Sequence, residues 1–539
     1  MAGAGVRGLS PDAGVEQVLQ HALAARQQGD LAAARLHYLA ALQRRPDDVD
    51  LAVDAAACCL AVNDLTGAAQ ALKGRRSDAL PDGLGARLLF AQALVLKRLN
   101  RPDEAAGCFD ASLRRASAQP ALARQVRREW SDTLLNSLGD ARAAAQVYGA
   151  QGLELEINPG RFSGGPLADD EEAWLARLVA GLYTGDLGCA ALVEGFKSFA
   201  DRHLATGSRP AAPGPARRRG PRPGRRLRIG FISNQFCSSP VGFLTLATIE
   251  ELSRLADLVL FDRGAKQDWA HRRFRGAARD WVACQGLTPA QLADQLRGSD
   301  LDAVFDLAGW MDLDVLRALA GRPVGRQFKW VGGQSLTTGL AVFDGFVADI
   351  RQVPPGSEPL YTEPVRRLEG SYVTYASPPY RDLSAPAASP PAVRQVRPGH
   401  FALVSNPAKI GAGTVAMVRA LKPQRLVLLD HRWRFAHPRR LAAQWFGGHV
   451  GQVDIVTPAN HPAYLDALQD LDAAVLDTQP YSMGLTAVEL RLLGVPIMLG
   501  PRPAMGTMRE FHARAHLGAA RFDRALEQAH ELVNWCATP

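Results

Sequence analysis

The chain has 539 residues, 47% of them hydrophobic, with a mean hydropathy of −0.09. That length exceeds what one core organises and sets an expectation of three or four folding units, and no apolar run is long enough to span a membrane. The formal charge of +8 has a single source: eight arginines lie between Arg209 and Arg228 with no acid among them, so the remainder is close to neutral and nucleic acid is not the implied partner.

Seven cysteines (58, 59, 108, 189, 237, 284 and 536) are scattered with no Cys-x-x-Cys, which argues against a disulfide framework and against a zinc site. The opening Met1–Arg7 has no apolar core of the signal-peptide kind. A reducing cytoplasm is the expected setting.

Residues 1–150 are rich in alanine and leucine at helical spacing. Turn pairs punctuate them at Gly29-Asp30, Asn63-Asp64, Asn100-Arg101 and Gly139-Asp140, at intervals of 34, 37 and 39 residues. Ala24, Ala33, Tyr38, Ala41 and Pro46 around the first pair have the small and aromatic positions of a tetratricopeptide repeat. Asn100, Pro102, Ala105, Phe109 and Leu113 have similar ones. Helix pairs of this kind bury their apolar faces by stacking into a solenoid, and the drifting interval leaves an irregular helical domain as the other reading.

Residues 151–204 carry two connecting helices, near Glu171–Tyr183 and Cys189–His203. The Arg/Pro-rich stretch 205–226 reads as a flexible linker. From Leu227 the pattern changes to alternating strand and helix. Strands are expected at Arg228–Ser233, Leu258–Phe261, Ala303–Leu307 and Phe346–Asp349, which makes 227–380 a first Rossmann-like lobe. A connector, 381–399, leads to a second lobe, 400–539, with strands at Phe401–Val404, Arg425–Leu429, Ala473–Leu476 and Val495–Leu499.

Within the second lobe, Leu476–Glu489 reads as strand, loop and helix, with the helix starting at Leu485-Thr486. A helix start offers unpaired N–H groups and a positive dipole end to an anion, and Gly484 leaves room for a ligand. No acidic pair for a metal stands out. Asp312-Leu313-Asp314 reads as charge at a helix start.

Taken together, these segments resemble glycosyltransferase family 41, the protein O-GlcNAc transferases and their plant and bacterial relatives. The resemblance runs through Leu182–Arg202, Leu227–Phe236, Asp306–Trp310, Trp330–Asp349, Tyr361–Tyr375, Ser405–Lys409 and Leu476–Leu499, in order. It implies a tetratricopeptide-like solenoid joined to a GT-B pair of Rossmann-like domains, with a UDP-sugar as donor substrate (UDP-GlcNAc first), no cofactor and no metal. The implied partner is a protein or peptide acceptor held by the repeats; no nucleic acid or membrane is implied, and homo-oligomerisation is left open. A different sugar or acceptor, such as glucose onto asparagine or a deoxysugar onto flagellin, is the alternative within the family, and a non-catalytic repeat scaffold is the alternative outside it.

By the same resemblance, Lys409 and Asn406 face the donor diphosphate, Gly484, Leu485 and Thr486 cradle it, and Glu489 meets the ribose hydroxyls. Their other readings are a surface lysine for Lys409 and a solvated helix carboxylate for Glu489. Tyr464 is a candidate to stack on the base, with core packing as its other reading. On the acceptor side the family carries a histidine where this chain has Ser239, and serine is no base near neutral pH. Asp306, with Asp302 nearby, is then the candidate base, or else a structural acid at a strand end. Thr337 and Thr338 are candidates to touch the acceptor or sugar. After Gly500–Gly506 only two helical stretches remain, Arg509–Leu517 and Arg524–Trp535, where the family runs on through several helices with one crossing back to the first lobe. The cleft is therefore expected to close differently.

Overall fold

The computed structural model describes residues 14–148, 171–205, 225–333, 336–383, 393–501, 508–518 and 522–537. Most of the linker, 206–224, and residues 384–392 of the connector lie outside these. Two compact units are present, residues 1–153 with 434–441, and residues 154–433 with 442–539.

The first unit is built of antiparallel helix pairs. α1 (Val15–Gln27), α2 (Leu31–Arg44), α3 (Val49–Ala61) and α4 (Leu65–Leu72) are followed by α5 (Asp82–Arg98), α6 (Pro102–Arg115), α7 (Pro120–Asp132) and α8 (Ala141–Gln146). The punctuating pairs explain how each helix ends and the next begins. Gly29, Asn63, Asn100 and Gly139 all have positive φ, the left-handed residue that closes a helix. Asp30, Asp64 and Asp140 then cap the following helix by accepting the backbone N–H three residues on, from Ala33, Gly67 and Ala143. Alanines 22, 34, 41, 52, 55 and 56 are buried at the helix crossings, where small side chains let the backbones approach.

The second unit starts with α9 (Glu171–Thr184) and α10 (Cys189–Phe199). The first sheet contains β1 (Arg228–Ser233), β2 (Asp257–Asp262), β3 (Asp280–Ala283), β4 (Ala303–Asp306), β5 (Gln327–Trp330), β6 (Gly345–Ala348) and β7 (Val365–Arg367). Its order is β3-β2-β1-β4-β5-β6-β7, all parallel, with α11 (Pro240–Leu255), α12 (Trp269–Ala277), α13 (Pro289–Gly298) and α14 (Leu313–Ala320) as crossovers. The second sheet contains β8 (His400–Leu403), β9 (Arg425–Leu429), β10 (Gln452–Val456), β11 (Ala474–Leu476) and β12 (Ile497–Met498). Its order is β10-β9-β8-β11-β12, again parallel. α15 (Ala412–Leu421), α16 (Ala436–Phe446), α17 (His461–Gln469) and α18 (Leu485–Leu492) connect the strands, and α19 (Met508–Gly518) and α20 (Ala525–Ala537) follow.

Both sheets reverse direction beside their first strand, at β1/β4 and β8/β11. Such a switch point is where doubly wound sheets open a crevice beyond the carboxyl ends of their strands. The expected strands are all present, β12 being shorter than the apolar run suggested. β3, β5, β7 and β10 were not foreseen.

One expectation is corrected. α20 does cross back: it packs on α11 of the first lobe, with Gln528 bonded to Thr248 and donating to the Ser371 carbonyl at 2.9 Å. Glu531 accepts the Glu369 N–H at 3.0 Å.

Because Asp30 caps α2 through a single exposed hydrogen bond of 2.9 Å, Asp30→Ala is expected to cost about 1 kcal/mol, while Asp30→Asn leaves stability nearly unchanged. Denaturant titration of the three proteins checks this.

Candidate functional site at the facing strand ends

A cleft of about 700 Å3 lies where the carboxyl ends of the two sheets of the second unit meet. The first lobe contributes Gln235 and Pro240 after β1, Met311 after β4, and Val331, Gly332 and Gly333 after β5. From the second lobe come Asn406 and Lys409 after β8, Asp430 and Arg432 after β9, His461 at the start of α17, and Tyr481 to Glu489 after β11. His512 of α19 completes the wall.

The loop after β11 is held by a buried carboxylate. Asp477 accepts the Met483 N–H at 2.9 Å and the Ser482 hydroxyl at 2.8 Å. Burial pushes its carboxyl up to about 6, with the Met483 N–H, the Ser482 hydroxyl and the Lys409 charge pulling the other way. These bonds turn the chain so that α18 begins at Leu485 with Gly484 at its N-cap and its first N–H groups at the cleft. Gly484 has φ −93°, so what its glycine supplies is the missing side chain rather than a left-handed turn.

Lys409 leaves the short turn Pro407–Lys409, whose N-cap is Asn406 accepting from Ala408 N–H at 3.0 Å. Its ammonium lies 4.3 Å from the Tyr481 ring centroid, and Tyr481 is itself stacked on Tyr183 of α9 at 4.7 Å. The cation–π contact and the stack behind it fix the charge at the cleft. Thr486 accepts from the Tyr464 hydroxyl at 3.2 Å, and the Tyr464 ring is stacked with His461 at 5.8 Å.

Glu489 is 1% exposed although it lines the cleft. Its Oε1 accepts from His461 Nε2 at 2.9 Å and from the Tyr375 hydroxyl at 3.4 Å, and the Tyr380 hydroxyl meets His461 Nδ1 at 2.6 Å. Burial raises the Glu489 carboxyl above its ordinary range, opposed by His461. Tyr375 and Tyr380 precede the second sheet, so this network ties the two lobes at one end of the cleft.

The sequence-derived donor residues Asn406, Lys409, Tyr464, Gly484, Leu485, Thr486 and Glu489 thus all line one cleft. The acceptor-side residues do not. Asp306 is fully buried and accepts the N–H groups of Ala308 and Gly309 at 2.7 and 3.0 Å, so it shapes a turn instead of facing a substrate. Asp302 precedes β4, at the amino ends of the strands and away from the cleft, and binds the Arg228 N–H and Arg225. Ser239 caps α11: it accepts from Gly242 N–H at 3.0 Å and donates to the Gln235 carbonyl at 3.1 Å. Thr337 and Thr338 are buried on Glu363, with the Thr337 hydroxyl at 2.7 Å and the Thr338 N–H at 2.6 Å from its carboxylate. Asp312, as expected, caps α14 and pairs with Arg263.

Sequence reasoning missed Lys329, a fully buried lysine whose ammonium donates to the carbonyls of Asp306 (3.2 Å) and Val331. It ties the end of β4 to the Val331–Gly333 loop that walls the cleft. A lysine inside an apolar strand run was its only signal. Among the described residues no group of three His, Cys, Asp or Glu side chains is arranged to hold a metal, and no helix is long and apolar enough to cross a membrane. All seven cysteines are free thiols.

No family model matches the chain. The probable UDP-N-acetylglucosamine–peptide N-acetylglucosaminyltransferase SPINDLY of Petunia hybrida is 26% identical over 294 residues, 51% of this chain and 30% of the plant protein. SPINDLY of Arabidopsis thaliana is also 26% identical over 294 residues, 31% of its length. The chain thus matches less than a third of the length of these relatives. A solved structure of a mutant O-GlcNAc transferase from Thermobaculum terrenum superposes with a TM-score of 0.65 at 21% identity, covering 97% of this chain and 94% of that one. The chain shares the fold of this transferase. Its fold is a helical-repeat region followed by a GT-B pair, and the cleft is the crevice between the two GT-B lobes.

The buried Asp477 generates a pH dependence. Its folded pKa of about 6 lies above the ordinary 3.8, so the folded state holds this proton more tightly than the unfolded chain. Its contribution to stability therefore grows as pH falls from 7 towards 4 and is least favourable above 6. Melting temperatures of wild type and Asp477→Asn over that range are expected to converge at low pH and separate above 6, with the variant's profile the flatter of the two.

Proposed function

We propose that the chain is an inverting, metal-independent glycosyltransferase that moves a sugar from a UDP donor to serine or threonine of a protein acceptor, with GlcNAc the first candidate sugar. One observation carries this reading: Lys409 and the amino end of α18 line the same wall of a cleft between two facing Rossmann-like lobes. Both are suited to a diphosphate. The plant relatives, by their names, transfer N-acetylglucosamine to peptide.

In this reading the acceptor hydroxyl attacks the anomeric carbon from the face opposite the diphosphate and gives up its proton to water. The bond between that carbon and the phosphate oxygen breaks, and the negative charge collects on the departing UDP. Lys409, held over Tyr481, and the first N–H groups of α18 meet that charge with fixed positive charge and dipoles, which is where electrostatic catalysis is strongest. The Thr486 hydroxyl accepts from Tyr464 and so turns its own proton towards the ligand. Glu489 uses Oε1 for His461 and Tyr375, leaving Oε2 for a ribose hydroxyl. The helical repeats present the acceptor polypeptide.

A second reading, nucleotide binding without transfer, has one observation in its favour. Among the described residues, the first-lobe side chains lining the cleft include no carboxylate, imidazole or amine.

Donor hydrolysis by the purified protein tests the first reading. Lys409→Ala is expected to lower kcat by about 100- to 1000-fold, the loss typical of removing one donor to a developing anion. Equal turnover in both proteins removes Lys409 from the mechanism. Intact-mass analysis of co-expressed acceptor proteins separates the readings further. A defined mass increment names the sugar, UDP binding with no increment supports the second reading, and no UDP binding leaves a repeat scaffold.

A further inference from the structure

α19 is fastened to the loop after β11 at one point. The Ala513 N–H donates to the Ser482 hydroxyl at 2.9 Å, and that hydroxyl donates to the buried Asp477 carboxylate. The residue before this staple is His512, which is 7% exposed and lines the cleft. Its ring is stacked with that of His516 at 6.0 Å and an interplanar angle of 28°. His516 is fully buried, and burial holds it well below the usual imidazole range, at about 3, so the stack sets no second positive charge beside His512.

Gly484 supplies the other half of the argument. A Cβ built on it would lie 3.6 Å from His512 Nδ1, ordinary contact distance, and would meet no other atom within 4 Å. The imidazole therefore abuts the start of α18 with no side chain between. Glycine at the N-cap and histidine on the neighbouring helix together place a ring nitrogen beside the N–H groups that open α18. With no ligand bound, the positive helix end disfavours the protonated form of the ring there. An anion bound at the helix start reverses the balance and gives Nδ1 a charge-assisted partner.

We infer that His512 is a further donor-binding residue, its imidazole set against the diphosphate of the bound nucleotide at the amino end of α18. This rests on the donor reading given above, and it adds a ligand group from α19, outside the segments that carry the family resemblance. It also gives the staple a purpose: the same carboxylate that shapes the phosphate loop sets the helix that brings the histidine.

Calorimetry with UDP and with uridine tests it, on wild type, His512→Ala and His512→Gln, each checked for folding by its melting temperature. His512→Ala is expected to weaken UDP about tenfold and to leave uridine within about twofold, because uridine lacks the diphosphate. His512→Gln, which fills the same niche and keeps an N–H donor, is expected to recover most of the loss. UDP binding by His512→Ala equal to wild type overturns the inference, as does an equal loss for UDP and uridine, which marks a packing role. If wild type itself binds no UDP, the donor reading falls and this inference with it.

Discussion

The cleft depends on one buried carboxylate. Asp477 stands where β11 ends, and its two oxygens decide the path of the next seven residues. Through Met483 it sets the turn before α18. Through Ser482 it reaches Ala513 and sets α19. An ionised group at this depth is costly on its own, and the cost is offset by two hydrogen bonds and the neighbouring Lys409 charge. The arrangement orders positive charge, helix dipole and loop around a single negative centre, before any ligand arrives.

The helices that precede the sheets act on both walls. α9 ends with Tyr183 under Tyr481 and so supports the Lys409 side of the cleft. α10 sets Phe196 against Trp310, 4.8 Å between ring centroids, and Trp310 donates to the Thr337 carbonyl at 2.8 Å. The loops of the first lobe are thus packed from behind by a segment with no strand of its own. Lys329 does comparable work from inside, its amine donating to the carbonyls of Asp306 at the end of β4 and of Val331 in the next loop. Support of this kind keeps a site rigid through groups that never touch a substrate.

The buried strands were legible because β1, β2, β4, β8 and β9 are covered on both faces and read as continuous apolar runs. The edge strands β3, β7 and β10 were not. β3 and β10 are mostly exposed or half-exposed and carry no such run. β5 was hidden by Gln327 and Lys329, two fully buried polar residues that bond to backbone carbonyls of Leu319 in α14 and Asp306 at the end of β4. The same asymmetry governs the site. The residues read as donor-side fall in two short segments, 406–409 and 484–489, with Tyr464 between them, and the resemblance rather than local pattern picked out Asn406 and Lys409. On the acceptor side, Asp306 has the structural role at a strand end that was its other reading, and Ser239, Thr337 and Thr338 are buried in hydrogen bonds of their own. Their hydrogen bonds to Gly309, Gly242 and Glu363 could not be read from local sequence.

The crossing of α20 has a consequence for how the protein is made. Gln528 meets Thr248 across 280 residues of chain, and α20 covers an apolar face of α11. During synthesis that face leaves the ribosome long before its cover does. The first sheet can assemble early, but its outer helix layer stays incomplete until the second lobe has been translated. Each nascent chain therefore carries an uncovered hydrophobic strip while roughly the second half of it is made, the condition under which chaperone binding and mispairing between neighbouring polysomal chains compete with folding. The same contact leaves the first lobe, expressed alone, with the α11 face that α20 covers open to solvent.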